Sequence, residues 1–157
     1  MARALIVGCG CRGRELGSAL AADGWAVRGT SRGDGLAPIE SVGIEAVEAD
    51  PDRLGTITDL IADVTVIVWL MGSASDAPEV NRERLESLLD KLVDSPVRGF
   101  VYEARGSAPE ELLEAGAASV AAWGERFRIP VAVLRDDPGE HAAWLAAARS
   151  AVSGVLG

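Results

Sequence analysis

The chain has 157 residues, a formal net charge of −9 at pH 7 and 48% hydrophobic residues. This length suits a single domain, residues 1–157, and the composition is typical of an ordered globular protein. Fourteen arginines accompany one lysine, one tyrosine and one histidine. A two-histidine metal site and a multi-lysine phosphate cradle are therefore excluded, and we expect no metal site.

The charge balance also limits the partners. Acidic residues number 24 against 15 basic ones, and nucleic-acid surfaces usually carry a basic stripe. No run approaches the ~20 apolar residues that span a bilayer, and the first apolar run is too short for a secretory signal. Cys9 and Cys11 lie in a glycine turn, where disulfide geometry is seldom met. We predict a cytoplasmic protein with reduced cysteines and with no nucleic-acid or membrane partner.

Short apolar runs alternate with longer amphipathic segments along the chain. The predicted strands are 3–7, 25–30, 44–49, 64–70, 97–102 and 130–134. The predicted helices are 13–22, 53–62, 78–93, 109–127 and 139–155, with room for a short helix before the third strand. Strands that alternate with helices form a parallel sheet with right-handed crossovers. We predict a doubly wound, three-layer α/β Rossmann fold with six strands in the order 3-2-1-4-5-6.

The first strand runs into a G-x-G-x-x-G motif that opens the first predicted helix. In this context the motif is a dinucleotide-binding fingerprint. Gly8 permits the tight turn, Gly10 lets the backbone approach a pyrophosphate, and Gly13 allows the helix to pack closely on the strand. The phosphates then lie on the free N–H groups of the helix N-terminus, beside Cys11 and Arg12. The alternative is a strand–turn–helix that binds nothing.

The end of the second strand indicates which dinucleotide is preferred. NAD sites place Asp or Glu there for the ribose 2′-hydroxyl, whereas this sequence has Thr30, Ser31 and Arg32, with no acid before Asp34. The two hydroxyls can donate to a 2′-phosphate, and Arg32 offers a planar fork that matches phosphate oxygens. Arg12 can reach the same phosphate or the pyrophosphate. We predict NADP(H) rather than NAD(H); otherwise Arg32 is a solvated loop cation.

Three further segments follow predicted strands, at the edge where open α/β sheets bind ligands. Asp50 can accept a hydrogen bond from the adenine amino group, or it is only a turn residue. Met71, Gly72 and Ser73 form a small-residue loop that suits the cofactor's ribose. After the fifth strand, the segment 103–107 is where a substrate would face the nicotinamide.

These motifs resemble the short-chain dehydrogenase/reductase superfamily. The likeness rests on the glycine loop, the Gly-Thr-Ser-Arg end of strand two, an Asp after strand three, and a Gly-Phe-Val-Tyr strand five followed by a Ser. It is nearest to the atypical and extended NADP-binding members and runs from residue 3 to about 134. The first fifty residues are its specific part. The resemblance implies a Rossmann fold, a nicotinamide dinucleotide and oxidoreductase chemistry.

The resemblance also implies a catalytic pair that this sequence lacks. Catalytic members carry Tyr-x-x-x-Lys on the helix after strand five. Here the only tyrosine is Tyr102, with Gly106 four residues later, and the only lysine is Lys91. Members also use a serine after strand five, and Ser107 lies near that place. Alternatively, Ser107 and Glu110 form a capping box at the start of the next helix.

Three functional hypotheses are compatible with these patterns. The first is an NADP(H)-binding protein without the usual chemistry, such as a redox sensor or regulator. The second is a small NADP-dependent reductase or epimerase-like enzyme with an unconventional acid, for which Glu103 and Tyr102 are candidates. The third is a nucleotide-free scaffold. The last predicted helix is apolar around much of its circumference, which makes a homodimer contact plausible.

Overall fold

The computed structural model describes residues 2–74 and 77–156. Its strands are β1 (Arg3–Val7), β2 (Ala26–Ser31), β3 (Glu45–Glu48), β4 (Val66–Trp69), β5 (Gly99–Glu103) and β6 (Val131–Leu134). Its α-helices are α1 (Cys11–Ala22), α2 (Leu36–Ser41), α3 (Leu54–Thr58), α4 (Glu83–Leu92), α5 (Glu110–Phe127) and α6 (His141–Gly154). A short 3-10 helix, Pro78–Asn81, precedes α4.

The strands form one parallel sheet in the order β3-β2-β1-β4-β5-β6. The predicted fold class and strand order are therefore confirmed. In the register of the sheet, Ala4 of β1 lies between Val27 of β2 and Val66 of β4. The strand order reverses between β1 and β4, so the crossovers from these strands diverge and leave a crevice at their carboxyl ends.

Helices cover both faces of the sheet because its central strand is apolar on both sides. All four residues of β4 are fully buried, as expected for a strand in the middle of a parallel sheet. On one face, α3, α4 and α5 pack around Trp69, Phe100 and Trp123. On the other face, α1, α2 and α6 pack around Leu16 and Trp144. No helix of the described residues is long and apolar enough to cross a membrane.

Two predicted helices differ from the observed ones. The helix expected over 53–62 is only the five residues of α3. The helix expected over 78–93 is divided at Arg82, whose φ of −128° and ψ of −102° are not helical. Next to this break, the Asn81 side chain donates to the Met71 carbonyl (3.0 Å) and accepts from the Tyr102 hydroxyl (2.9 Å). These two hydrogen bonds hold the 3-10 turn against the sheet, and the helix is not continuous there.

Candidate dinucleotide site

The glycine loop turns sharply at Gly8, between β1 and α1. Its φ of +84° lies in the left-handed region that favours glycine. A Cβ atom there would also lie 2.5 Å from the Leu70 carbonyl oxygen. Further along, a Cβ on Gly13 would meet Ile6 and Cys9 side-chain atoms at 3.3 Å. The loop therefore brings the N-terminus of α1 close to the end of β1, as the G-x-G-x-x-G spacing predicts.

A cleft of about 310 Å³ opens above the carboxyl ends of β1 to β4. We call it the nucleotide cleft. Its walls come from the glycine loop, the ends of β2 and β3, and the loop after β4. Its lining residues are Gly8, Cys9, Gly10, Arg14, Thr30, Ser31, Arg32, Gly35, Ala49, Asp50, Pro51, Leu70, Met71, Ser73, Ala74, Ala77 and Val80.

The end of β2 supplies the polar wall of this cleft. Thr30 is 1% exposed, and its Oγ1 accepts a hydrogen bond from the Gly8 N–H at 3.4 Å, so it supports the glycine loop from beneath. The Ser31 hydroxyl oxygen accepts from the Gly35 N–H at 3.1 Å. Ser31 and Arg32 both line the cleft. The hydroxyl and the guanidinium predicted for a 2′-phosphate thus lie at the same wall.

Arg14 also lines the nucleotide cleft, and the sequence reasoning missed it. Its N–H donates to the Gly10 carbonyl at 2.8 Å, the first i, i+4 bond of α1. Residues four apart share one face of a helix. The four-residue spacing from Gly10 to Arg14 could therefore have predicted that Arg14 lies beside the expected phosphate position.

Arg12 points away from the nucleotide cleft. Its guanidinium forms an ion pair with Glu103 of β5 and lies 5.5 Å from the ring centroid of Trp144 of α6. It is 23% exposed. The prediction that Arg12 reaches the 2′-phosphate or the pyrophosphate therefore disagrees with the structure. The partner carboxylate lies 91 residues further along the chain, so no local sequence pattern predicts this ion pair.

Glu103 is a buried carboxylate that joins the first turn of α1 to the loop after β4. It is 1% exposed, and its Oε1 accepts from the Gly72 N–H at 2.9 Å while its Oε2 accepts from Arg12. Burial raises the pKa of this carboxyl, and the Arg12 charge and the Gly72 N–H oppose the rise. With both oxygens engaged and almost no exposure, Glu103 does not present a proton to a substrate in this arrangement.

Tyr102, the other candidate acid, lies in the core. It is fully buried, and its hydroxyl donates to Asn81 Oδ1 at 2.9 Å. The ring lies against α5, where a Cβ on Gly116 would be 2.1 Å from the hydroxyl oxygen. Burial raises the pKa of Tyr102 far above its ordinary value, and the Glu103 charge adds to the rise. The structure therefore disagrees with Tyr102 as a proton donor to a bound substrate.

The other strand-end residues divide between the cleft and the structure around it. Asp50, Met71 and Ser73 line the cleft. Asp50 also accepts from the Asp52 N–H at 2.9 Å, as a turn residue does. Gly72 faces the β5 loop instead, since a Cβ there would lie 2.3 Å from the Arg105 carbonyl oxygen.

Ser107 does not cap α5. That helix begins at Glu110 with Pro109 before it, and no side-chain hydrogen bond caps it. The predicted capping box is therefore wrong. The Ser107 N–H instead donates to Ser73 Oγ at 3.4 Å, so the segment before α5 is held by the loop after β4 and not by its own helix.

The two cysteines are free thiols in different surroundings. Cys9 is buried, and burial raises the pKa of its thiol to about 12. Cys11 is exposed at the first residue of α1. It begins the helix whose N-terminus would face a pyrophosphate, although it does not itself line the nucleotide cleft.

Solved structures share this fold. The chain is similar to a UDP-glucose 4-epimerase of Thermotoga maritima solved with UDP-glucose, with a TM-score of 0.71 and 14% identity over 85% of this chain and 54% of that one. It is similar to a short-chain dehydrogenase/reductase superfamily protein of Agrobacterium tumefaciens with bound NAD (TM-score 0.67, 22% identity, 85% and 48%). It is also similar to AtPrR2 with NADP+ and (+)pinoresinol (TM-score 0.62, 19% identity, 86% and 50%).

The likeness defines the class of fold. The chain spans about half the length of these three proteins, and at these identities the comparison shows a shared Rossmann-type α/β fold. No protein-family model matches the sequence, and no curated protein matches it.

Proposed function

We propose that this chain is an NADP(H)-binding protein that does not carry out the usual short-chain dehydrogenase chemistry and that acts as a sensor or regulator. The observation that carries the proposal is the nucleotide cleft, where the glycine loop meets Ser31, Arg32 and Arg14. Such crevices, at the carboxyl ends of strands where the order reverses, bind ligands in open α/β folds. Two of the similar structures hold NAD and NADP+, which supports a nicotinamide dinucleotide.

The preference for the 2′-phosphorylated cofactor rests on charge at the end of β2. Thr30, Ser31 and Arg32 stand where an NAD site places a carboxylate, which would repel a 2′-phosphate. Arg32 at the end of β2 and Arg14 on α1 both line the cleft. Guanidinium groups bind phosphate oxygens through charge-assisted, often bidentate hydrogen bonds.

The absence of the usual chemistry rests on the candidate acids. The sequence has no Tyr-x-x-x-Lys pair. Of the remaining candidates, Tyr102 donates to Asn81 in the core, and Glu103 is paired with Arg12. Neither side chain is exposed by more than 1%. The binding role is therefore better supported than a reductase or epimerase role.

Thermal unfolding with added cofactor tests the proposal. A ligand that binds only the native state at 100 times its Kd adds about 2.7 kcal/mol. For a chain of this size, that corresponds to a Tm rise of about 5–11 °C. We expect this rise with NADPH and a smaller one with NADH. No rise with either cofactor would refute the proposal, and steady oxidation of NADPH with simple carbonyl compounds would refute its non-catalytic part.

An arginine variant tests the 2′-phosphate assignment. Arg32→Ala should weaken NADPH binding by about tenfold or more and NADH binding by less than about threefold. Arg149→Ala is the matched control, because Arg149 lies on α6, where it pairs with Asp23 outside the cleft. Equal losses for the two cofactors in Arg32→Ala would contradict the assignment.

A further inference from the structure

The nucleotide cleft covers only one half of the expected dinucleotide path. In this fold a dinucleotide crosses the point between β1 and β4, with one nucleotide on each side. The cleft residues come from the glycine loop, α1 and the ends of β2, β3 and β4, together with the segment that leads to the 3-10 helix. None of the described residues of β5, β6 or α6 lines it. The open half is therefore the one that takes the adenosine.

The other half is closed by an ion pair and an indole. Arg12 leaves the first turn of α1, crosses toward the end of β5 and pairs with Glu103. Trp144 of α6 lies beside the guanidinium at 5.5 Å and is 1% exposed. These three side chains join α1, β5 and α6, on the side of the crevice where this fold takes the second nucleotide. We call them the Arg12 latch.

The loops after β4 and β5 are also joined directly. The Ala108 N–H donates to the Gly72 carbonyl at 2.9 Å, and the Gly72 N–H donates to Glu103 Oε1 at the same distance. A Cβ on Gly106 would lie 2.3 Å from the Gly72 carbonyl oxygen. The two loop backbones are thus in contact. None of the described residues after β5 lines the nucleotide cleft. A separate pocket of about 440 Å³ lies on that side, and its lining includes Ala104, Arg105, Gly106 and Ala108.

Opening the nicotinamide half of the crevice would leave a buried carboxylate without its ion-pair partner. Glu103 is buried, and moving Arg12 aside would leave its carboxylate without its cation. Uncompensated buried charge is strongly unfavourable. The nicotinamide nucleotide would have to offset that cost with its own contacts, whereas the adenosine half enters a cleft that is already open.

Building on the proposed NADP(H)-binding function, we infer that the site recognises the phosphorylated adenosine half of the dinucleotide, with adenosine 2′,5′-bisphosphate as its minimal ligand. The nicotinamide nucleotide stays in solvent. The protein then binds NADP+ and NADPH equally. It responds to the total pool of 2′-phosphorylated adenine nucleotide and not to its redox state. The reduced ring stays exposed to water, so its fluorescence is that of free NADPH.

Calorimetric titration of the whole chain tests this inference. We expect NADPH, NADP+ and adenosine 2′,5′-bisphosphate to give dissociation constants within about threefold of one another. Nicotinamide mononucleotide should not bind. If either dinucleotide binds more than about tenfold tighter than the bisphosphate, or if NADPH and NADP+ differ by that factor, the inference is wrong while NADP(H) binding stands. If none of the four ligands binds, the proposed function fails as well.

A variant of the latch gives a second test. Glu103→Gln removes the charge that holds Arg12 but keeps an oxygen for the Gly72 N–H. We expect NADPH to gain at least about threefold over the bisphosphate in this variant. Arg149→Gln, which breaks the α6 ion pair with Asp23, should leave the ratio unchanged. An unchanged ratio in a folded Glu103→Gln protein would show that the latch does not close this half.

Discussion

Alanine substitutions at two glycines of the same loop should have different effects: Gly8→Ala should lower the stability of the fold, and Gly10→Ala should lower the affinity for NADPH. In Gly8→Ala, the φ of +84° costs an L-residue about 1–2 kcal/mol. The new Cβ would lie 2.5 Å from the Leu70 carbonyl oxygen and 2.8 Å from Met71 Sδ, and such overpacking costs about 1–3 kcal/mol. The sum is about 2–5 kcal/mol, or a Tm fall of about 4–20 °C for this length.

Gly10→Ala should leave the fold intact and lose the ligand. Gly10 has a φ of −82°, and a Cβ there meets no atom within 4 Å. Alanine is a poorer N-cap residue than glycine but restricts the unfolded chain, so the free energy of unfolding should change by about 1 kcal/mol or less. The methyl group would stand where the pyrophosphate approaches the backbone. NADPH affinity should therefore fall by about tenfold or more.

Urea unfolding and NADPH titration on both variants separate the two roles. The expected result is a large loss of stability in Gly8→Ala and a loss of binding without loss of stability in Gly10→Ala. If Gly10→Ala keeps its NADPH affinity, the phosphates do not lie on this loop. If it unfolds as easily as Gly8→Ala, the space around Gly10 is not open in the folded protein.

Two further predictions concern buried polar groups. In Tyr102→Phe, the Asn81 side chain loses a buried hydrogen-bond donor. The free energy of unfolding in urea should therefore fall by about 1–3 kcal/mol, while NADPH affinity should not change. Weaker NADPH binding at unchanged stability would contradict the structural role of Tyr102. Burial raises the pKa of Glu103, opposed by Arg12, so the native protein keeps that proton to higher pH than the unfolded chain does. The free energy of unfolding of the wild type should then fall relative to that of Glu103→Gln as the pH rises from the ordinary carboxyl pKa to the raised one. Parallel pH profiles of the two unfolding free energies would refute this prediction.

The strand order and the position of the cleft were predictable from sequence because both follow from local patterns. A continuous apolar run such as β4 is typical of a strand that is buried on both faces of a parallel sheet. Alternation of strands and helices leaves few topologies, and the glycine spacing marks the first crossover. Where tertiary bonds compete with a local pattern, prediction fails. The helix expected over 78–93 divides beside Asn81 because its side chain is bonded to two other elements.

The directions of the polar side chains around the cleft were decided only by the tertiary structure. Arg12 and Arg14 lie two residues apart at the start of α1, and composition does not distinguish them. The two side chains leave α1 about half a helical turn apart. Arg14 lines the cleft, while Arg12 pairs with a carboxylate 91 residues away. By itself, the sequence determined the sheet, the glycine turn and the basic end of β2, because each depends on residues that are neighbours in the chain. The closure of one half of the crevice depends on Glu103 and Trp144, which folding alone brings to Arg12.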